Sequence, residues 1–347
     1  MNSDRVKEIL KKIKKVNIAV YGDYAIDAYW VLDPGGSEIS VETGLKGEAV
    51  GRHYYSLGGA SNIVANAAAL QPEKIQAIGV IGDDIFGHEL LRQLNRLNVN
   101  TDSLITQKAN FDTYTFIKRY LNEREEPRID FGFYNKRSGA SDEKLLGSLK
   151  RVLGECDAVI FNQQVPGSIT NKIFIEEANK LFRRFNDKIV LLDSRHYAGR
   201  FRHVYHKINE KEAAAMNGVV VPDDQIPLKD VKHYAQKVYQ KFKKPTIITS
   251  GKRGIVIVHG DGIQTVAGIR LSKTLDTVGA GDTIISAAAL CMGAGLGVYE
   301  AAQFANLAAA VTVQKRFQTG TASGNEILEL CRTLDIGTSN VAGRKGK

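Results

Sequence analysis

The sequence has little of several residue types that would point to a special class of protein. Its 347 residues include three cysteines, seven prolines and one tryptophan, and no apolar run approaches the ~20 residues that span a bilayer. Cys156, Cys291 and Cys331 show no paired spacing, which argues against a disulfide framework or a zinc site. Their apolar surroundings predict buried thiols in a reducing compartment. Because the N-terminus is charged and amphipathic, with no apolar signal stretch, we expect a cytoplasmic protein.

Basic residues are in excess, but they are not concentrated in one region. The 47 Lys and Arg against 38 Asp and Glu give a formal net charge of +9. The clusters Lys7–Lys15 and Arg344–Lys347 lie near the ends, and no basic stripe interleaved with aromatic residues lies between them. Composition therefore favours a small anionic substrate over nucleic acid or a membrane surface.

A glycine-rich segment near the C-terminus, Asp276–Thr283, reads DTVGAGDT and precedes an alanine-rich apolar run. The small residues Gly279, Ala280 and Gly281 let backbone N–H groups face a ligand, and a helix starting here adds its N-terminus, which is typical of an anion site. Asp282 is then either a helix cap or a base that takes a hydroxyl proton beside a phosphoryl group. The four letters GAGD leave both open, and the flanking DTV with the rest of the chain favours the base.

Two acids follow the first predicted strand, Asn17–Tyr21. In doubly wound sheets, ligands bind at the carboxyl ends of the strands. Asp23 and Asp27 are therefore either solvent-facing loop acids or acceptors for the hydroxyl groups of a ligand.

A second glycine pair opens an alanine-rich helix, in the segment GGASN. Gly58 and Gly59 allow close backbone approach, and Asn62 offers both a donor and an acceptor to a hydroxyl-rich ligand. Taken alone, this segment also fits a helix start that serves only packing.

Strands alternate with helices along most of the chain, which predicts a three-layer α/β domain with a mostly parallel sheet. Short alternating segments interrupt this pattern: Ser37–Val41, Ala49–Tyr55, Thr113–Leu121 and Arg128–Phe133. We expect residues 33–56 and 111–137 to form a small separate β-sheet, and residues 1–32, 57–110 and 138–347 to form the main domain.

Together, DTVGAGDT and GGASN resemble the signatures of the ribokinase-like (PfkB) carbohydrate kinases. The opening GDYAIDAYW is similar to the GDxxxDxYW of the bacterial heptose-phosphate kinases, a branch of that family. The resemblance implies a ribokinase-like fold whose small sheet is a lid over the sugar, with ATP and Mg²⁺ as cofactors. It implies that Asp282 is the catalytic base, that the loop amides hold the transferring phosphate, and that Asp23, Asp27 and Asn62 lie in the sugar pocket.

The resemblance also implies a nucleotide site. Asn209 and Glu212 match the NxxE motif, in which the asparagine reaches a nucleotide phosphate and the glutamate organises Mg²⁺ through water. A T-x-G-x-x-G turn and a helix position beside the adenine are matched by Thr249, Gly251, Gly254 and Asn306.

A monovalent-cation loop is expected around Lys315–Thr321, with Asp276 and Val278 as candidate ligands. The usual glycine is displaced in KRFQTGT, so potassium activation is not assumed.

Two departures bear on the substrate. The branch has SDYxKG where this chain has NQQVPG, so an acid and a lysine are missing, although Gln164 and Asn162 could bond a sugar or be ordinary loop amides. Arg195 stands where the branch has the lysine of DPK. Five cations fall in the lid or at strand ends, and we expect at least half of them to be surface charges: Arg52, Lys118, Arg119, Arg128 and Arg195. A sugar phosphate of the heptose 7-phosphate type is favoured, because a phosphosugar needs cations.

Other functions stay open at this point. One is a kinase for a free sugar or a nucleoside, and another is a catalytically idle family member with a binding or regulatory role. A nucleotide-dependent oxidoreductase is disfavoured because no G-x-G-x-x-G follows the first strand.

Apolar residues on the lid predict its partner. Val41, Val50, Tyr55 and Phe116 cannot all be solvated on a thin sheet, so we expect a homodimer in which two lids pack together.

Overall fold

The computed structural model describes residues 1–168, 172–221, 226–260, 262–271, 275–315 and 320–342. Two β-sheets and ten α-helices account for most of this part of the chain.

The larger sheet has nine strands in the order β13-β12-β11-β10-β9-β8-β1-β4-β5. Its strands are β1 (Asn17–Tyr21), β4 (Lys74–Gly82), β5 (Asn100–Gln107), β8 (Ala158–Gln163), β9 (Ile189–Ser194), β10 (Tyr205–Asn209), β11 (Thr246–Thr249), β12 (Gly254–His259) and β13 (Gly262–Ala267). All neighbouring pairs are parallel except β11 with β12 and β12 with β13.

The helices are α1 (Ser3–Ile13), α2 (Ala60–Ala69), α3 (Ile85–Arg96), α4 (Gly139–Glu155), α5 (Lys172–Arg184), α6 (Glu210–Met216), α7 (Leu228–Phe242), α8 (Ala280–Gly293), α9 (Val298–Thr312) and α10 (Gly324–Ala342). Short 3₁₀ turns lie at Pro34–Gly36, Ala198–Arg200 and Gly251–Arg253.

Helices cover both faces of the large sheet because its central strands are apolar on both sides. In β1, Ile18 and Val20 belong to the core formed with α2, α8 and α9, whereas Ala19 and Tyr21 belong to the core formed with α4 and α5. The three-layer arrangement predicted from the sequence is confirmed.

The smaller sheet has four strands in the order β3-β2-β6-β7: β2 (Tyr24–Leu32), β3 (Val50–Gly59), β6 (Tyr114–Leu121) and β7 (Arg124–Phe131). It begins at residue 24, not at the predicted boundary of residue 33. The sequence pattern did not indicate this because β2 lies between two partners and is almost continuously apolar, like a strand of the large sheet.

One predicted strand is wrong. Residues 37–41 contribute only an isolated bridge between Ile39 and Lys46. The segment is largely exposed, and it follows a 3₁₀ turn capped by the Asp33 carboxylate, so it has no sheet to pack on.

The chain crosses between the two sheets at one end of the small sheet's strands, and Phe86 of α3 packs against Tyr55 and Phe131 of the small sheet. Only Gly22 and Asp23 separate β1 from β2, and β3 runs directly into α2. The Ala60 N–H donates to the Asp23 carbonyl at 2.9 Å, which ties these two crossings together. Thr113, just before β6, accepts the Gly82 N–H on its hydroxyl.

The three cysteines are buried, as predicted. Within the ranges given above, no helix combines the length and apolar character needed to cross a membrane.

Candidate active site

A cavity of about 550 Å³ lies between the carboxyl ends of the large-sheet strands and the small sheet. Parallel strands end at one edge of a sheet, so side chains distant in sequence meet there. From the large sheet and its connections, the predicted residues that line the cavity are Asp23, Gln164, Arg195, Asn209 and Glu212. From the turn before α8 they are Val278, Gly279, Gly281 and Asp282, and from the small sheet Asp27 and Gly59.

The first turn of α8 presents backbone donors to this cavity. Gly279 has φ 78° and precedes the helix without a side-chain cap. The Ala280 N–H bonds the Thr277 carbonyl, whereas the Gly281 and Asp282 N–H groups have no hydrogen-bond partner within the described part of the chain. Two free donors at a helix N-terminus favour an anion there.

Asp282 is a buried acid at the wall of the cavity. Its Oδ2 accepts a hydrogen bond from Asn62 Nδ2 at 2.7 Å, and Gln164 Nε2 lies 3.5 Å from Oδ1. Burial raises the pKa of Asp282 to about 6, with a smaller opposing effect from the Asn62 hydrogen bond. A carboxylate with this pKa is ionised at neutral pH and still basic enough to accept a proton. The predicted Asn62 lies behind Asp282, where it is 1% exposed, and does not line the cavity.

A buried ion pair lies beside the same turn, and the sequence reasoning missed it. Lys207 Nζ, on β10, is 2.7 Å from Asp193 Oδ2, on β9. Burial opposes the charge of Lys207, but Asp193 outweighs burial and the pKa of Lys207 is raised. A Cβ on Gly281 would lie 3.0 Å from the Lys207 ammonium, so this glycine leaves the space between cation and helix start open. No local sequence signal separates this lysine from one on an exposed edge strand.

Asp23 organises the loop after β8. Its Oδ2 accepts the N–H groups of Gln164 and Val165 at 2.7 and 2.9 Å. Burial raises the pKa of Asp23, and these two bonds oppose the rise. The Asp23 carbonyl also lies 2.5 Å from where a Cβ on Gly59 would be, so glycine is required at this contact.

Asp27 lies on the cavity side of the small sheet, within reach of cations. Lys118 Nζ is 3.4 Å from Asp27 Oδ2 and 3.2 Å from the Tyr29 hydroxyl. Burial raises the pKa of Asp27, and Lys118 lowers it. Gly58 packs beneath this carboxylate, since a Cβ there would lie 3.2 Å from Asp27 Cγ.

Three of the five cations singled out from the sequence line the cavity: Lys118, Arg128 and Arg195. Arg128 pairs with Asp130, whereas the Arg195 guanidinium forms no ion pair with any described acid. Arg119 pairs instead with Glu48, and Arg52 lies over the Tyr54 ring.

The predicted nucleotide residues follow the same sheet edge away from Asp282. Asn209 and Glu212 form a reciprocal capping box at the start of α6. Thr249 pairs with Asn209 in the register of β10 and β11. Gly251 and Gly254, with φ 53° and 95°, form the turn after β11. The Asn306 amide donates to the Ala267 carbonyl at 2.9 Å, at the end of β13. Asn209 and Glu212 line the cavity. The predicted residues that do not line it are Thr249, Gly251, Gly254, Ala280 and Asn306.

The carboxylates among the metal candidates, Glu212 and Asp276, are partly buried. Burial raises the pKa of Glu212, and Asp193 raises it further, so this site gains from a nearby cation. One or two carboxylates with water and phosphate ligands suit Mg²⁺, and Glu212 fits that pattern. No group of three His, Cys, Asp or Glu side chains shaped for a metal occurs among the described residues. Asp276 accepts the Val278 N–H at 3.1 Å, and residues 316–319 of the expected cation loop lie outside the described residues.

Comparison with known proteins bears on this geometry. The model for pfkB family carbohydrate kinases matches residues 16–326. Bifunctional protein HldE of Wolinella succinogenes is 31% identical over 343 residues, which cover 95% of this chain and 68% of that protein. HldE of Coxiella burnetii (strain Dugway 5J108-111) is 30% identical over 312 residues, covering 87% and 61%. This chain spans about two thirds of the length of these relatives.

Solved structures show the same fold. The tetrameric inhibited form of phosphofructokinase-2 from Escherichia coli has a TM-score of 0.70 at 18% identity, with 92% of this chain and 99% of that chain covered. Ribokinase of Arabidopsis thaliana, complexed with ribose and ATP, has a TM-score of 0.68 at 18% identity, with 91% and 99% covered. The resemblance stated from the sequence is thereby confirmed, and the chain belongs to the pfkB family of carbohydrate kinases.

Proposed function

We propose that this carbohydrate kinase transfers the γ-phosphate of ATP to a hydroxyl of a phosphosugar of the heptose 7-phosphate type. The observation that carries the proposal is a single cavity with a buried base, Asp282, on one wall and the cations Lys118, Arg128 and Arg195 on others. Lys118 and Arg128 pair with Asp27 and Asp130, so Arg195 is the cation best placed to bind a phosphate of the sugar. The HldE relatives support a substrate of the same branch.

In the proposed mechanism, the Asp282 carboxylate accepts the proton of the attacking hydroxyl. The N–H groups of Gly281 and Asp282 and the Lys207 ammonium oppose the negative charge on the transferring phosphoryl group. The Asp27 carboxylate accepts hydrogen bonds from the sugar hydroxyls, and the Gln164 amide donates to them. Asp23 holds the loop that carries Gln164.

The nucleotide lies along Asn209, Thr249, Gly251, Gly254 and Asn306 in this proposal. Mg²⁺, held through water by Glu212, would neutralise charge on the phosphate groups of ATP. Asp276 and Val278 remain candidate ligands for a monovalent cation.

Replacing Arg195 with alanine tests the phosphosugar. We expect the Arg195→Ala variant to raise KM for the phosphosugar roughly 10- to 10²-fold, which corresponds to the loss of a charge-assisted pair of about 1.5–3 kcal/mol. KM for ATP should change little. The measurement is ADP release with a panel of sugar phosphates and free sugars.

Arg52→Ala is the matched control, because Arg52 lies outside the cavity. Faster turnover of a free sugar than of every phosphosugar would contradict the heptose-type substrate. Only the assignment as a carbohydrate kinase would then remain.

The small sheet is the proposed dimer interface. Val41 and Val50 are 96% and 40% exposed, and Ile129 and Phe131 are also exposed, whereas Tyr55 packs near Phe86 and Phe116 lines the cavity. We expect sedimentation velocity at micromolar concentration to show a homodimer.

Val50→Asp should yield a monomer, and Val220→Asp, at a valine 94% exposed elsewhere, should not. A wild-type monomer, or a Val50→Asp dimer, would remove this interface.

A further inference from the structure

A line of buried polar side chains connects the end of α9 with Asp282. Thr312 Oγ1 lies 3.1 Å from Thr283 Oγ1, and the Thr283 hydroxyl is 2.7 Å from Asn66 Oδ1. Asn66 Nδ2 donates to Asn62 Oδ1 at 3.1 Å, and Asn62 Nδ2 donates to Asp282 Oδ2 at 2.7 Å. All four residues before Asp282 are at most 2% exposed. We call Thr312, Thr283, Asn66 and Asn62 the polar relay.

The chemistry of the groups fixes the direction of the relay from Thr283 to Asp282. An amide oxygen cannot donate, so the proton in the 2.7 Å contact must come from Thr283, whose hydroxyl has only one. The Thr283 hydroxyl also lies 3.2 Å from the Gly279 carbonyl, and the Thr312 hydroxyl lies 3.3 Å from the Ala308 carbonyl, so Thr312 can donate either to Thr283 or within its own helix. With its Oδ1 held by Thr283, Asn66 must turn its Nδ2 toward Asn62, where it also donates to the Asn62 carbonyl at 2.9 Å.

The orientation of Asn62 follows from the same reasoning. Its Oδ1 receives the Asn66 N–H, so its own Nδ2 must point to Asp282. In the flipped amide, Oδ1 would face the Asp282 carboxylate and Nδ2 would face the Nδ2 of Asn66, and both contacts would be repulsive.

We propose that Asn66 and Thr283 are positioning residues, which hold the Asn62 amide with its N–H toward the carboxylate of the base. The proposal rests on the proposed function of Asp282. It assigns a role to two buried polar residues that do not line the cavity.

The charges around Asp282 make this orientation matter. Asp193 on β9 and Asp27 on β2 face Asp282 and oppose its ionisation, whereas Lys207 on β10 favours it. The Asn62 hydrogen bond also favours the ionised form, because it lowers the pKa of Asp282. Loss of the relay should therefore raise that pKa.

The test compares two substitutions at one position. Thr283→Val removes the hydroxyl and keeps the shape, whereas Thr283→Ser keeps the hydroxyl. We expect the acid limb of the kcat profile to move up by about half to one pH unit in Thr283→Val, and to stay in place in Thr283→Ser. The rate of Thr283→Val should approach that of the wild type at alkaline pH, which a merely structural defect would not produce.

A second readout does not depend on catalysis. The Asp282 carboxyl carbon can be titrated by ¹³C NMR in aspartate-labelled enzyme, with its signal assigned by its loss in Asp282→Asn. The titration midpoint should rise in Thr283→Val only. If Asp282 is not the base, this midpoint still moves while the kcat profile does not, so the two proposals fail separately.

Thr246→Val serves as the control, since Thr246 is a fully buried threonine on β11 outside the relay. It should leave the midpoint and the acid limb unchanged. If Thr283→Val does not fold, Asn66→Ala is measured in the same way. An unchanged titration midpoint in the folded variant overturns the relay.

Discussion

Replacing Asp282 with asparagine should lower kcat by about 10²–10⁴-fold, because the variant retains the shape of the site and loses its proton acceptor. ATP should still bind, since the backbone donors of Gly281 and Asp282 remain. Steady-state ADP release and nucleotide titration measure the two effects. Near-normal turnover would show that another group accepts the proton.

The pKa of Asp282 makes the stability of this variant informative. A folded-state pKa of about 6, above the ordinary value of 3.8, means that the ionised carboxylate destabilises the fold. This cost grows between these two pH values and is complete above about 6. Asp282→Asn should therefore melt no lower than the wild type at pH 7, and a large drop in melting temperature would invalidate its kinetic interpretation. Asp83→Asn, at a partly exposed acid of the turn before α3, is the control and should keep full activity.

Replacing Lys207 with methionine should cost about 3–5 kcal/mol of unfolding free energy. Lys207 and Asp193 are 6% and 7% exposed, so the substitution leaves a buried carboxylate without its counter-ion. Urea unfolding followed by circular dichroism measures the loss. A Lys207→Met variant as stable as the wild type would show that the pair is not a coupled buried ion pair.

The double variant separates stability from catalysis. Lys207→Met combined with Asp193→Leu removes both charges and should recover most of the stability, because a buried ion pair replaced by apolar residues of similar volume is often neutral. If Lys207 also opposes charge on the phosphoryl group, kcat should stay low in the stable double variant. Recovery of kcat together with stability would limit Lys207 to a structural role.

Part of this architecture was readable from the sequence because local pattern and tertiary environment agree there. The strands near Asn17–Tyr21 and Ile189–Ser194 are apolar and end in polar residues at the ligand-binding edge, as expected of a parallel sheet. The glycine-rich turn before α8 was likewise predicted from residue size. By contrast, β2 has the apolar character of a central strand and gave no local sign that it belongs to the small sheet.

The side-chain contacts around Asp282 and Lys207 could not be predicted from the sequence, because each depends on a partner distant in the chain. Lys207 is explained only by Asp193 on the neighbouring strand, and a lysine in a short strand otherwise suggests an exposed edge. Asn66 and Thr283 are 217 positions apart and meet only through the packing of α2 against α8. The sequence indicated Asn62 as polar and close to a ligand, but not that its amide faces the base.

The chain crossings at one end of the small sheet affect how far each of its residues would move in a rigid-body rotation. If the small sheet rotates as a rigid body about Gly22 and Asp23, the displacement of each residue grows with its distance from these two residues. The strand from Tyr24 to Leu32 extends about 26 Å at ~3.3 Å per residue, and Asp27 lies only about 10 Å along it. Any swing thus carries the far end roughly two and a half times as far as Asp27. A rotation of the small sheet that widened the cavity entrance would therefore displace Asp27 less than the far end of its strand.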